Sequence, residues 1–166
     1  TKATAQLMRD FGCVQSPINA YMLNLGLESL HVRMARHCEN GQAVAEFLAS
    51  HPKIAYVNYC GLPGDKYHAV AEKYLPNGSC GVVSFGVKGG REAAAAFMGH
   101  LKIAAIETHV ADARTCCLHP ASSTHRQMND EQLIAAGVQP DLVRMSCGLE
   151  DKNDLIHDIA QALDQI

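Results

Sequence analysis

Nothing in this sequence offers a grip for nucleic acid. No basic block is interleaved with aromatics, and 14 Lys and Arg against 17 Asp and Glu leave a formal charge of −3. No apolar run approaches the ~20 residues a membrane helix needs, so no membrane partner is expected. A Gly-rich phosphate loop is missing too: Gly89-Gly90 has neither a third Gly nor a following Lys-Ser, and a tight strand-to-helix turn is the better reading. No C-x-x-C joins any of the seven cysteines, and no H-x-x-x-H occurs among the nine histidines. Cys116 and Cys117 would point to opposite faces of a strand, so with His119 and His125 they make a poor zinc set, and no metal is expected. Ser16, Ser84 and Ser146 lack the strand–turn–helix setting of a nucleophile elbow. The opening T-K-A-T-A-Q-L-M-R-D has no apolar segment ahead of its charges and no initiator Met. The expectation is a cytosolic chain with reduced thiols, processed or cut from something longer.

What is present is a globular composition, 48% apolar and 19% charged, with enough chain for one compact domain. Residues 1–15 read as a helix or connector broken at Gly12 and Ser16-Pro17. From Pro17 a helical pattern runs through Ile18, Tyr21, Met22 and Leu25, with Gly26 expected to interrupt it. A long helix follows from about Glu28 to Ser50, with Leu30, Met34, Cys38 or His37, Gly41, Val44, Phe47 and Leu48 as its buried stripe. Strands are expected at Ile54–Tyr59, Cys80–Val87, Ile103–Thr108, Thr115–Leu118 and Leu142–Ser146. Alternation in the first would put Ile54, Tyr56 and Asn58 on one face. Helices are expected from Asp65 to Tyr74, Arg91–Leu101, Glu131–Ala136 (capped by Asn129 or Asp130, ended by Gly137) and Asp151–Ile166. The alternation predicts an α/β or α+β domain, four or five strands with helices mainly on one face.

The stretch from His109 to Glu150 departs from a plain core pattern. Arg144 lies inside an apolar run, flanked by Leu142, Val143, Met145 and Cys147. A guanidinium there must reach solvent, pair with an acid, or await an anion, and its planar fork suits a carboxylate. On spacing alone, an edge-strand Arg facing water is the simpler reading.

Longer blocks carry more. S-P-I-N-A-Y-M-L-N-L-G-L-E-S-L-H-V-R-M-A-R-H-C-E-N, V-N-Y-C-G-L-P-G-D-K-Y-H, G-V-V-S-F-G-V-K-G-G, H-V-A-D-A-R-T-C-C-L-H-P-A-S-S-T-H-R-Q-M and L-V-R-M-S-C-G-L-E follow one another along the chain. Together they resemble the Cys/Met-metabolism branch of pyridoxal-phosphate enzymes. That branch includes cystathionine γ-synthase, the cystathionine lyases, methionine γ-lyase and O-acetylhomoserine sulfhydrylase, and the fourth block looks most like the sulfhydrylase subgroup.

The resemblance implies the small C-terminal domain of a fold-type I enzyme, with a mostly antiparallel sheet. Residues 1–15 would be a connector from an absent N-terminal cofactor domain, and 16–166 the substrate-side domain. The family's Schiff-base Lys stands in an S-x-T-K context that Thr1-Lys2 lacks, so catalytic and cofactor-binding residues are expected outside this chain, which alone would be inactive. Arg144 fills the family position that holds the substrate carboxylate, and Thr115 one that faces the substrate. Leu118 stands where several lyase relatives are polar or acidic, Cys116-Cys117 where bulkier aliphatics are usual, and Cys147 where Val is common. A cytoplasmic homotetramer acting on a small amino acid is implied. A sister activity of the family, or a silent small-domain interaction module, stays open.

Overall fold

The computed structural model describes residues 1–166, which form two compact units, Thr1–Val32 and Arg33–Ile166. The boundary expected after residue 15 falls inside the first unit.

In the first unit a π-helical stretch, Ala3–Met8, runs into α1 (Arg9–Phe11) and stops at Gly12. Helix α2 spans Pro17–Glu28. Its start is set locally: the Ser16 hydroxyl accepts the Asn19 N–H at 3.2 Å, and Pro17 needs no partner for a missing N–H. Gly26 does not interrupt it, because one helical glycine costs only about 1 kcal/mol. The apolar stripe of α2 stays uncovered, with Ile18 75% and Tyr21 64% exposed.

The second unit is built on a five-stranded sheet in the order β1-β2-β5-β4-β3. The strands are β1 (Ile54–Asn58), β2 (Val82–Val87), β3 (Ala105–Ile106), β4 (Cys116–Leu118) and β5 (Leu142–Ser146). Three pairings are antiparallel, but β3 runs parallel to β4, so the sheet is mixed. The strand expected over Ile103–Thr108 is only two residues long. The reason is on its N-terminal side. The buried Asp158 carboxylate takes the backbone N–H groups of Lys102, Ile103 and Ala104, at 2.8, 2.9 and 3.0 Å, and so removes them from any ladder.

Helices α3 (Leu30–Ser50), α5 (Gly90–His100) and α7 (Lys152–Asp164) supply the other half of the core. Val44, Ala45 and Leu48 of α3 join Phe97 and Met98 of α5, Leu155, Ile159 and Leu163 of α7, and the strand residues Val83, Phe85, Val143, Met145 and Cys117. Phe85 and Phe97 meet edge to face at 5.8 Å. The α3 stripe differs from expectation in its first half: Leu30 is exposed and Met34 half-buried, His37 rather than the half-buried Cys38 takes the buried position, and Asn40 is buried as well. Those two polar side chains bond to the end of β5, where His37 donates from Nδ1 to the Cys147 carbonyl at 2.7 Å and Asn40 to the carbonyls of Gly148 and Glu150, both at 2.9 Å, while His37 Nε2 and Asn40 Oδ1 are buried without a partner.

Strict alternation fails in β1. A register shift between Ile54 and Tyr56 turns Ile54 into the core beside Val57 and Tyr59, leaving Tyr56 and Asn58 on the other face. The short helices are α4 (His68–Tyr74) and α6 (Asp130–Ala135). Asn129 and Gln132 close a reciprocal capping box on α6, and Gly137 follows it at φ 80. Asp151 caps α7 by accepting the Asn153 N–H at 2.8 Å.

Candidate functional site

Strand register brings four residues into one row across the sheet: Asn58 of β1, Ser84 of β2, Arg144 of β5 and Leu118 of β4. Their neighbours Val83, Phe85, Val143, Met145 and Cys117 point into the helix-covered core. Period-two alternation therefore sends Arg144 to the opposite face. Leu118 walls it on one side and Ser84 on the other.

The guanidinium is half-buried and only partly satisfied. Nη2 donates to the Thr108 carbonyl at 2.8 Å, while the Nε–H is buried without any partner. Arg144 belongs to none of the ion pairs formed by the chain's arginines. A buried cationic donor left open is costly unless something fills it, and an anion with two acceptor oxygens is the natural complement. Nε and Nη2 share one edge of the guanidinium, the edge used for side-on, two-bond recognition.

Every second residue of the strand end after Arg144 has a job in fixing the loop that faces it. The Ser146 hydroxyl accepts the Ala111 N–H at 3.0 Å. At Gly148 a Cβ would collide with the Ala113 carbonyl oxygen and stand 2.5 Å from the Arg114 carbonyl carbon, so only glycine lets the loop lie this close. Glu150 receives the Thr115 N–H at 2.7 Å and the Thr115 hydroxyl at 2.8 Å. The R-x-S-x-G-x-E pattern is thus one partly unpartnered arginine followed by three positions that hold residues 111–115 in place.

Thr115 is placed differently from Arg144. It is fully buried, its hydroxyl is committed to Glu150, and its oxygen accepts the Gly148 N–H at 2.8 Å. The hydroxyl is used in tying β4 to the end of β5. Sequence reasoning missed Ser146, Gly148 and Glu150 as a set. The signal was available, since positions 144, 146, 148 and 150 share one parity and none is aliphatic.

Other candidates resolve into structure. His119 donates from Nε2 to the Pro140 carbonyl at 2.8 Å and accepts from Ser122 at 2.9 Å, which makes it a turn residue. Cys117 lies in the core, where burial pushes its thiol well above the usual range, and Cys116 turns to the other face. Gly89-Gly90 is the turn that opens α5. Lys2 is exposed at the start of the π-helical stretch. No lysine stands in the Arg144 row or in residues 107–116.

The fold and the half-used Arg144 define an α/β domain with helices on one face of a mixed sheet and a polar row on the other. A family model described as Cys/Met metabolism PLP-dependent enzyme matches residues 1–164, and the chain belongs to that family. It is 45% identical over 166 residues to the O-acetyl-L-homoserine sulfhydrylase of Leptospira meyeri, covering 99% of this chain and 38% of that protein. To the homocysteine synthase of Schizosaccharomyces pombe it is 43% identical over 159 residues, 96% of this chain and 37% of the relative. A crystal structure from Campylobacter jejuni, assigned as an O-acetylhomoserine (thiol)-lyase, superposes with a TM-score of 0.89 at 37% identity, over 98% of this chain and 39% of the other. That structure carries N'-pyridoxyl-lysine-5'-monophosphate at its position 205. The chain therefore spans under two-fifths of the length of these relatives.

Pyridoxal phosphate requires an amine to hold it and a partner for its ring nitrogen. The open face of this sheet presents a guanidinium, hydroxyls and an apolar wall, with no lysine. The residues present do not by themselves make a cradle for that cofactor.

Proposed function

We propose that this chain is the C-terminal, substrate-side part of a pyridoxal-phosphate-dependent O-acetylhomoserine sulfhydrylase, with residues 1–15 as connector and 16–166 as the domain. The complete enzyme makes homocysteine or methionine from O-acetylhomoserine and sulfide or methanethiol, releasing acetate. The observation that carries this reading is the buried, unpartnered Nε of Arg144, next to an Nη2 that is only half used. That edge takes the α-carboxylate of the amino acid. Holding one end of the substrate rigidly is a positioning contribution, converting a mobile reactant into an aligned one. The cofactor, bound by the rest of the enzyme, supplies the electron sink. Leu118 keeps the neighbouring wall apolar, which suits an uncharged acetyl ester better than a second charged arm.

Seven free thiols support a cytoplasmic setting, and no helix is long and apolar enough to cross a membrane. Exposed Phe11, Ile18, Tyr21, Leu23 and Leu27 support extensive burial in a homo-oligomer, a tetramer by the family resemblance.

The test is a product assay on the full-length enzyme. Homocysteine formed from O-acetyl-L-homoserine and sulfide is expected. Cleavage of cystathionine or methionine with no homocysteine from the acetyl ester would place the enzyme with the lyases of the family instead, such as the L-methionine gamma-lyase of Fusobacterium nucleatum, to which the chain is 39% identical.

A further inference from the structure

Beside the Arg144 row the segment from Glu107 to Cys116 folds back on itself. Glu107 Oε2 lies 3.3 Å from His109 Nδ1 and 3.8 Å from Cys116 Sγ. All three donor atoms fall within 4.8 Å of one another. Asp112 adds a fourth, with Oδ2 3.6 Å from the same His109 nitrogen. The turn that returns Asp112 to His109 has Ala111 at φ 58, the left-handed region, anchored by Ser146.

These separations have a specific meaning. A tetrahedral zinc ion with Zn–N and Zn–O near 2.0–2.1 Å and Zn–S near 2.3 Å has ligand-to-ligand edges of about 3.3–3.6 Å. Glu107–His109 at 3.3 Å and His109–Asp112 at 3.6 Å already match those edges, and Glu107–Cys116 at 3.8 Å is slightly long, so closing the set around an ion needs a small movement of exposed side chains. We infer that Glu107, His109 and Cys116, with Asp112 as fourth donor, form a binding site for a thiophilic divalent cation of the zinc class. One thiolate, one imidazole and two carboxylates give the mixed donor set that zinc accepts and that magnesium or calcium does not. Entry is open: Glu107, His109 and Asp112 line a surface cleft with Ala113, Arg114 and Glu150, and the buried Cys116 thiol lies 3.8 Å from the Glu107 carboxylate. In the free protein Glu107 is held only loosely by Arg114, at 3.9 Å across an exposed pair, so the carboxylate can be recruited at little cost.

The site is distinct from the Cys116, Cys117, His119 and His125 set suggested by adjacency in sequence. Cys117 faces the core and His119 is committed to Pro140 and Ser122. Thr108, whose carbonyl takes the Arg144 bond, lies between two of the ligands. An ion here would therefore pin the loop that orients Arg144. That consequence rests on the proposed role of Arg144, whereas binding itself does not.

The experiment uses full-length enzyme stripped with a chelator, loaded with zinc chloride and desalted. Bound zinc is counted by mass spectrometry and its shell read by X-ray absorption. One ion per chain with one sulfur and two or three nitrogen or oxygen neighbours is expected. His109→Ala, at an exposed position that leaves the fold alone, should weaken binding at least about tenfold. Cys116→Ala, checked for native circular dichroism, should lose the sulfur, and Cys13→Ala should change nothing. No retained zinc, or an unchanged sulfur-containing shell in Cys116→Ala, overturns the inference.

Discussion

The Thr115 hydroxyl gives its proton to Glu150 at 2.8 Å and receives the Gly148 N–H at 2.8 Å, so one buried oxygen joins the start of β4 to the turn after β5. Thr115→Val keeps the shape and removes both bonds, leaving the Gly148 N–H and a Glu150 oxygen unpaired. A loss of about 2–4 kcal/mol in urea unfolding is expected, with Thr115→Ser recovering most of it. A raised substrate KM at unchanged stability would instead return Thr115 to the substrate.

Gly148 allows the loop carrying Ala113 and Arg114 to approach β5 closely. Gly148→Ala drives a methyl group into backbone atoms that have no flexible end to move. Destabilisation of about 2 kcal/mol or more is expected from thermal unfolding. A neutral outcome would mean that the loop is free to move away.

Asp158 is a buried carboxylate whose oxygens take three consecutive backbone N–H groups. Asp158→Ala orphans all three, at about 1–3 kcal/mol each where water cannot replace the acceptor. Chemical denaturation should show a loss of several kcal/mol, with Asp158→Asn keeping part of it. A loss below about 1 kcal/mol would show that water substitutes freely.

Two of these three residues were invisible in the sequence for the same reason. Gly148 reads as a turn glycine and Asp158 as a polar position in an amphipathic helix, and only the tertiary approach of another segment gives them their roles. Arg144 stood out as a cation in an apolar run that needs a partner, but spacing favoured an edge strand facing water, and β5 is instead an interior strand. The face of Arg144 came from the register, which turns Val143 and Met145 to the core, and burial along the strand does not alternate strictly, since Ser146 is buried as well. Alternation failed in β1, where a bulge invisible to period counting rotates Ile54. Periodicity over Ile18, Tyr21, Met22 and Leu25 named a helix correctly, but it does not say what covers the apolar side chains, and here they are exposed. The Glu107–Cys116 cluster was missed because its donors have no regular spacing; a left-handed turn at Ala111 assembles them.

Buried thiols set the alkaline limit of stability. The Cys147 thiol is pushed up to about 12 by burial first and by the Glu150 charge next, and Cys117 is raised further by burial. Their folded values lie above the unfolded value of 9.0, so the folded state holds protons that the unfolded chain releases. Stability from this source is whole below pH about 9 and falls as pH rises towards 12. Urea midpoints at pH 8 and at pH 10 measure it, with a lower midpoint at pH 10 expected. Cys147→Ala should reduce the difference, and an unchanged difference would assign the alkaline loss to other groups.

The central claim is that Arg144 holds the substrate carboxylate, and steady-state kinetics of the full-length enzyme with Arg144→Ala and Arg144→Lys test it most directly. Loss of one partner of a desolvated charge pair costs about 2–5 kcal/mol, which corresponds to a rise of roughly 30-fold or more in KM for O-acetyl-L-homoserine. Arg144→Lys should recover little, because a point charge cannot make the two parallel bonds. Cofactor absorbance should be unchanged in both variants. A KM within about twofold of the parent enzyme would contradict the account and leave Arg144 as a strand residue held by Thr108 alone.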